Sequence, residues 1–331
     1  MIAVPRGHIL RHRWDAFVDA SAPEAWWFHR SEWLDYSLAY TPNAVDRSVA
    51  FLDDFSQCCG ICPIIDEGGR VGMGGDPCVG PVWLAETDDI VESLGDNLPE
   101  SFAWRWTHPT ENANRTIHLL EQVPGVYRTE WSTVVQRLRG RSYDDRWQDI
   151  RKSYRAVIRR AEAQYRIGVG GVERWGQYVQ CHQAAATRPR PQATYDHQWA
   201  MVKGGHGRIA VAVDGAGSCV AAVLALVYQG RAYYASGPSC RRGVQHGVLW
   251  AMSKHLADEG VKAFEIGWTG QPEGSADIEF FKRGFGRERE RVVVLSRGES
   301  ATEKANTEAS CGGDSGPTRK HPATGKESGS Y

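Results

Sequence analysis

The pattern of apolar segments predicts an α/β fold in two domains. Three observations lead to it. Apolar runs of strand length alternate with longer segments whose apolar residues recur at helical spacing. Asp214-Gly215 and Gln229-Gly230 separate three successive apolar runs, as hairpin turns do. Gly260 follows a helical segment just before a further apolar run, the position of a C-terminal helix glycine.

Taken in order, residues 10–40 read as helical, with Trp14, Phe17 and Val18 on one face and Trp33, Leu34, Tyr36 and Leu38 in a second segment. Residues 49–52 and 60–65 read as strands about a turn at Asp53-Asp54, and Gly68-Gly69, Gly72 and Gly74-Gly75 mark a flexible connection. A short helix is expected at 90–97 and short strands at 116–120 and 133–138. In the second half, 145–165 reads as one long helix and 178–186 and 196–201 as two more. Strands follow at 208–213, 220–228 and 231–235, then a helix at 248–259, a strand at 263–266, a short helix at 278–283 and a closing strand at 291–295. The first half is a fainter copy of this alternation, so the expected domains are 1–138 and 139–297. Residues 298–331 contain no Val, Ile, Leu, Met, Phe or Trp. Such a stretch buries too little to offset its ordering entropy, and a disordered tail is expected.

Composition narrows the function classes. The 331 residues carry 39 Lys+Arg against 40 Asp+Glu, a net charge of −1, and 41 % are hydrophobic. That balance excludes a wholly basic nucleic-acid coat and an acidic solvating chain, and it speaks against a DNA partner. The longest apolar stretch, 219–228, falls far short of the about 20 residues a membrane span needs. The N-terminus shows no sustained apolar core before a small-residue cleavage site, so a cytoplasmic protein is expected, with peripheral membrane association left open. The eight Cys then read as reduced thiols. Cys59-x-x-Cys62 lacks the second pair or the suitably spaced His that zinc requires, so these thiols read as small hydrophobes in a buried strand and no metal is expected. Nine of the 13 Trp precede residue 151, which points to core packing, with Trp26, Trp27 and Trp33 the candidates for facing a sugar or nucleotide.

Charge is unevenly placed. Residues 137–166 hold ten cations against four acids, a local excess of +6. Along the expected helix, Ile150, Tyr154, Val157, Ile158 and Ala161 form the apolar stripe, and Arg151, Arg155 and Arg159 fall at i, i+4 and i+8 beside it. Such a row suits phosphate, and a solvated helix face is the competing reading. A second feature is the loop from Ser239 through Gly243 to Gly247 at the start of a helix, where free N–H groups and the positive dipole end attract anions. An ordinary strand-to-helix turn is its alternative. A third is Asp277-Ile-Glu-Phe-Phe-Lys-Arg-Gly-Phe-Gly286 behind the strand Phe264-Glu-Ile-Gly-Trp268.

In combination these features resemble the FemABX peptidyltransferase family and the GNAT-like acyltransferase domains of its clan. The matching elements occur in order: Trp147-x(3)-Arg151-Lys-Ser-Tyr-Arg155-x-x-Ile158-Arg-Arg-Ala161-Glu162, then Gly217-Ser-Cys-Val-Ala-Ala, the hairpin from Tyr228 to Ala232-Tyr-Tyr234, Gly247-x-Leu249-Trp250, Gly260, and Phe281-Lys282-Arg283-Gly284-Phe285-Gly286. They span 143–295; residues 10–135 are similar in outline, including Phe28-His-Arg-Ser-Glu-Trp33.

The resemblance implies two tandem GNAT-like domains of mixed sheets flanked by helices, the first diverged. It implies an aminoacyl- or acyltransferase in which an amine attacks an activated ester or thioester. The donor is aminoacyl-tRNA or acyl-coenzyme A, and the acceptor an amine on a small molecule or on a peptidoglycan, polysaccharide or natural-product precursor. No metal or organic cofactor is implied. Lys282 corresponds to the family's oxyanion-stabilising Lys and Phe281 to its pocket-shaping neighbour. Arg151, Lys152, Arg155 and Arg159 correspond to the family's basic helix, which would meet the tRNA acceptor end or a substrate phosphate, with Tyr154 beside them as a further substrate-binding candidate; Tyr195, Tyr234 and Trp268 are candidates to line the cleft, with core packing as the alternative. Gly243 and Gly247 stand where a GNAT domain carries its Arg/Gln-x-x-Gly-x-Gly/Ala pyrophosphate loop, but four residues apart, which departs from that pattern. Glu265 is a candidate proton acceptor, with a structural role in its strand as the alternative. A non-catalytic binding protein on a decayed transferase fold is the reading from another class.

Overall fold

The meander over residues 207–236 shows how the sheet arises. Residues 209–213 and 219–228 contain neither Gly nor Pro and are made of Ile, Val, Ala, Leu, Cys and a terminal Tyr, so both faces of such strands must be covered. The computed structural model describes residues 1–73, 76–83, 94, 98–186, 190–270 and 276–298. In chain order the first half comprises β1 (Ile2–Pro5), α1 (Arg11–Ala20), α2 (Ser31–Tyr40), β2 (Val45–Asp46), β3 (Val49–Leu52), β4 (Cys58–Cys62), β5 (Ile65–Asp66), β6 (Cys78–Val79), β7 (Val82–Trp83), β8 (Phe102–Thr107), α3 (Glu111–Glu121) and β9 (Val126–Arg137). The second half runs α4 (Tyr143–Asp149), α5 (Lys152–Gln164), β10 (Arg166–Gly170), α6 (Trp175–Ala185), α7 (Gln192–Lys203), β11 (Gly207–Val213), β12 (Cys219–Tyr228), β13 (Arg231–Ser236), α8 (Val244–Asp258), β14 (Ala263–Thr269), α9 (Ala276–Lys282) and β15 (Glu288–Arg297). The disordered tail expected at 298–331 lies outside the described residues apart from Gly298.

Nine strands form one mixed sheet in the order β10–β11–β12–β13–β14–β9–β15–β8–β6, and β1–β3–β4–β7 form a smaller one. Among the described residues of the large sheet, only strands β13–β14 and β6–β8 pair in parallel. The two halves are interleaved. β9 lies between β14 and β15, and β15 returns to pair with β8 from Val292↔Thr107 to Arg297↔Phe102. Gln229 and Gly230, both at positive φ, make the two-residue turn between β12 and β13.

The Trp-rich first half packs inward. Trp14, Trp27 and Trp104 are wholly buried, and Trp27 and Trp26 lie against Tyr228 of β12 with ring centroids 5.9 and 6.0 Å apart. Phe28 meets Tyr233 of β13 edge-on at 4.8 Å. Tyr228 Oη donates to Asp19 Oδ1 at 2.7 Å, tying α1 to the hairpin. Cys62 and Cys78 are fully buried beside these rings, and burial pushes both thiols up. Among the described residues no group of three or more His, Cys, Asp or Glu is placed to hold a metal ion.

Two sequence expectations are corrected. The single helix at 145–165 is two helices: Ser142 caps α4 through Asp145 N–H, Ile150 turns into the core, and Arg151 N–H bonds Gly284 O at 2.9 Å before α5 begins. The strand at 116–120 is part of α3, where Ala113, Thr116, Ile117 and Leu120 are buried at helical spacing and Thr110 Oγ accepts from Ala113 N–H. The strand expected at 133–138 is present, as the end of the twelve-residue β9. Strands β8 and β10 were not expected. The short helix placed at 90–97 lies outside the described residues except for Leu94.

His29 adds a pH dependence. It is buried, with Nδ1 accepting from Trp26 N–H at 3.0 Å and Nε2 3.0 Å from Gly80 O. Burial pushes its pKa down from 6.5 to about 4. Between those values the unfolded chain binds a proton that the folded chain refuses, so stability drains away as pH falls through that window, by up to about 3 kcal/mol. Denaturant titrations at pH 7 and pH 5 are expected to show a smaller loss in His29→Gln than in the parent; equal losses would clear His29 of the effect.

Candidate active site

The site begins where β13 and β14 part. Their parallel pairing runs Arg231↔Ala263, Ala232↔Phe264 and Tyr233↔Glu265 and then stops, although the strands continue to Ser236 and Thr269. Each strand is bent away by an irregularity against its outer neighbour, at Leu224/Ala225 for β12–β13 and at Glu265/Gly267 for β14–β9. The N-terminus of α8 stands at the opening, and a cavity of about 1000 Å³ lies in front of it. Its lining includes Tyr234, Gly237, Arg241, Arg242, Gly243, His246, Phe281 and Lys282, with Tyr40, His182 and Arg190 on the far wall.

Lys282 ends α9, with its Nζ donating to Trp268 O at 3.0 Å. The side chain lies against the Cα of Gly267, which holds a φ of +113°. A methyl group there would come within 3.2 Å of Nζ, so this position has both conformational and steric reasons to be glycine. Burial lowers the Lys282 pKa from the ordinary 10.5, against an upward pull from Asp76, Glu279 and Glu265. Phe281 packs on His246 and Phe285, centroids 5.0 and 5.1 Å apart. His246 sits in the first turn of α8 with Nδ1 3.2 Å from Gly243 O, and burial pushes its pKa down. Tyr234 Oη accepts from Gln245 Nε2 at 3.2 Å, and burial raises its pKa to about 12, so it is a neutral phenol.

Gly243 takes a φ of +85° and caps α8, leaving the first-turn N–H groups of a fifteen-residue helix at the cavity. Arg241 and Arg242 are exposed beside it, and Arg190 reaches in from across, over the Tyr40 ring at 5.5 Å. With Lys282 the lining carries four cations against one acid, Asp277, among the described residues. That field suits a phosphate-bearing ligand.

Of the predicted residues, Lys282, Phe281, Tyr234 and Gly243 converge on the cavity. The rest stand elsewhere. Gly247 is buried where α8 crosses α5, its Cα facing Ala161 and Ile167; a side chain there would collide with both. Tyr195 is buried behind His182, its Oη 2.9 Å from Nδ1. Trp268 contributes its carbonyl to Lys282, while its ring packs on the opposite side against Arg105 and Trp131. Tyr154 lies beneath the site, its ring 4.3 Å from His246 and its Oη donating to Phe280 O at 3.1 Å.

The arginine row does not form as spaced. Arg151 caps α5 and stacks on Phe280 at 3.7 Å. Arg155 turns back to Ile150 O and Gln148 Oε1, closing α4, and Arg159 lies over Trp147 at 5.4 Å. Lys152 is exposed. None of the four lines the cavity. The cations that do, Arg241 and Arg242, stand in the glycine loop that the sequence singles out. Arg190 and Gly267 carry no local signal, because only the tertiary fold brings them to Lys282.

No family model and no curated protein sequence matches the chain. Solved structures do. FemX superposes with a TM-score of 0.64 at 10 % identity, over 93 % of this chain and 100 % of its own. L-PGS from Bacillus licheniformis gives 0.55 at 12 % identity, over 90 % and 94 %. The C-terminal domain of a putative lysylphosphatidylglycerol synthetase from Agrobacterium fabrum gives 0.56 at 11 % identity, over 91 % and 95 %. The chain has the fold of FemX and of these two structures.

Gly267→Ala is expected to destabilise the chain by about 1–3 kcal/mol, the range for a strained φ, and to displace Lys282. A thermal melt together with the pKa of Lys282 in the variant checks this; an unchanged melt and an unchanged lysine would remove the constraint.

Proposed function

We propose that the chain is an aminoacyl- or acyltransferase that forms an amide in the Lys282 cavity. The acceptor's amine nitrogen attacks the carbonyl carbon of an activated ester or thioester. The carbonyl becomes a tetrahedral oxyanion, the bond to the leaving oxygen or sulfur breaks, and the proton lost by the amine balances the one gained by the leaving group. Lys282 supplies the cation for the oxyanion, and Phe281 with His246 shapes the apolar wall behind it. The supporting observation is the half-buried Lys282 Nζ, held by Trp268 O at the open end of two diverging strands. In this partly dehydrated setting a fixed cation stabilises developing charge more than it does in water.

The four cations and the α8 N-terminus favour a donor with phosphates. Aminoacyl-tRNA is the leading donor, with its acceptor end in the cavity. Acyl-coenzyme A is the second reading, favoured by Gly243 and the free first turn of α8, an arrangement suited to a pyrophosphate. The acceptor is an amine on a peptidoglycan, polysaccharide or natural-product precursor, and the chemistry calls for no metal or organic cofactor. The reading carries with it a cytoplasmic setting, where both donors are made. No helix among the described residues is long and apolar enough to cross a membrane.

Incubation with a labelled aminoacyl-tRNA pool and, separately, with acyl-coenzyme A asks which donor is deacylated. Lys282→Ala is expected to lower turnover by about 10²–10³-fold, the effect of one lost oxyanion donor, with the fold intact. Normal turnover in that variant would overturn the role of Lys282, and deacylation of neither donor would favour a binding protein. The pH profile gives an independent check. The Lys282 cation is present below its pKa and lost above it, so activity should fall at a pH lower than 10.5, and Lys282→Arg should move that limb upward.

A further inference from the structure

A second cavity, of about 500 Å³, opens on the opposite face of the β13–β14 pair. Strand alternation defines the face: Ala232, Phe264 and Ile266 pack in the core beneath α8, whereas Arg231, Ala263 and Glu265 point the other way and line this cavity. It shares no lining residue with the Lys282 cavity. Its inner wall is Glu265, which is 1 % exposed. Glu265 Oε1 accepts from Thr133 Oγ at 2.9 Å, while Oε2 is buried with no hydrogen-bond partner. An unpaired buried acceptor is costly, and it marks a place where a donor belongs.

The surrounding charges limit the donor. Arg137 and Arg231 both pair with the buried Glu290, at 2.8 and 2.7 Å, and Arg105, whose Nε donates to Pro77 O, lines the same cavity; Arg231 and Arg105 favour the Glu265 carboxylate through their charge, but neither donates a hydrogen bond to Oε2. Lys262 is exposed at the rim and has no ion pair among the described residues. A ligand with only a positive charge would enter past Arg231 and Lys262 at a penalty, and one with only a negative charge would meet Glu265 at the inner wall. A ligand carrying both signs satisfies both ends.

We propose that this second cavity binds an amine that also carries an anionic group, with the ammonium against Glu265 Oε2 and the anion toward Lys262 and Arg231. Trp26 and Trp106 wall the space between. Glu265 is two residues before Gly267, on which Lys282 rests, but it lines a cavity separate from the one that holds Lys282. The proposal does not depend on the transferase reading, because the sheet separates this site from the Lys282 cavity in which the acyl carbonyl is attacked.

The test uses the whole chain with glycine, L-lysine and phosphoethanolamine as zwitterions, and acetate and methylammonium as single-charge controls, followed by titration calorimetry and thermal shift. At least one zwitterion is expected to bind at millimolar concentration or below and raise the melting temperature, with the controls weaker by about tenfold or more. Glu265→Gln, which keeps the Thr133 contact, and Lys262→Ala, at an exposed position, should each weaken that binding by about tenfold or more with unchanged circular dichroism. The absence of zwitterion binding, or binding indifferent to both variants, would overturn the proposal. Donor deacylation in the same preparations separates the two readings. Amine binding without deacylation keeps this site and removes the transferase, whereas deacylation without amine binding removes this site and keeps the transferase.

Discussion

Parallel pairing between β13 and β14 ends at Tyr233 and Glu265, and both strands run on without each other. This local loss of sheet hydrogen bonds is the constraint on which the rest of the site depends. Beyond it, the facing edges carry N–H and C=O groups that no strand across the gap takes up, and one of them, Trp268 O, becomes the anchor for Lys282. The gap also exposes the first turn of α8, whose N–H groups lack helical partners. The bends that open it come from bulges against β12 and β9, so the outer strands hold the geometry and the opening does not depend on a ligand.

Charge buried near this point is arranged so that dehydration is offset by close partners. Arg105 is sandwiched between Phe28 and Trp268, at 4.5 and 4.1 Å from the ring centroids, and its Nε donates to Pro77 O. Burial still lowers its pKa from 12.5, as it lowers that of Lys282 and raises that of Glu265. Desolvation by burial is the largest cause of each shift, and around Arg105 it comes in part from the aromatic layer of the first half. That layer is where most of the tryptophans are used: Trp26, Trp27 and Phe28 press on the β12–β13 hairpin, so the first half keeps water from the underside of the cleft that the second half builds.

Much of the second half was legible in one dimension. The meander β11–β12–β13, the helix ending at Gly260 and the Phe281-Lys282 pair all stand close to where periodicity and turn chemistry put them, because each is specified within a few residues. The misreadings share a cause. Residues 145–165 have an unbroken helical pattern, yet Ile150 is drawn into the core and Arg151 bonds Gly284, a partner far along the chain. Residues 116–120 are rich in β-branched side chains, but the burial of Thr116, Ile117 and Leu120 under a Thr110 cap makes them helical. The arginine stripe failed for the same reason: helical spacing sets which face a side chain occupies, while nearby carbonyls and rings decided where each guanidinium went.

By itself, then, the sequence determined the α/β class, the hairpin turns, the Lys282-bearing segment and the glycine loop with its two arginines, since these depend on local conformational preference and short-range spacing. Only the tertiary structure decided that Gly247 is a helix-packing residue while Gly243 faces the cavity, that Arg190 reaches the cavity of Lys282, and that Glu265, with one unpaired oxygen, lines a second cavity. Those outcomes depend on which strands pair and where they part. Such pairing is a long-range balance of burial and hydrogen bonding, which no window of neighbouring residues contains.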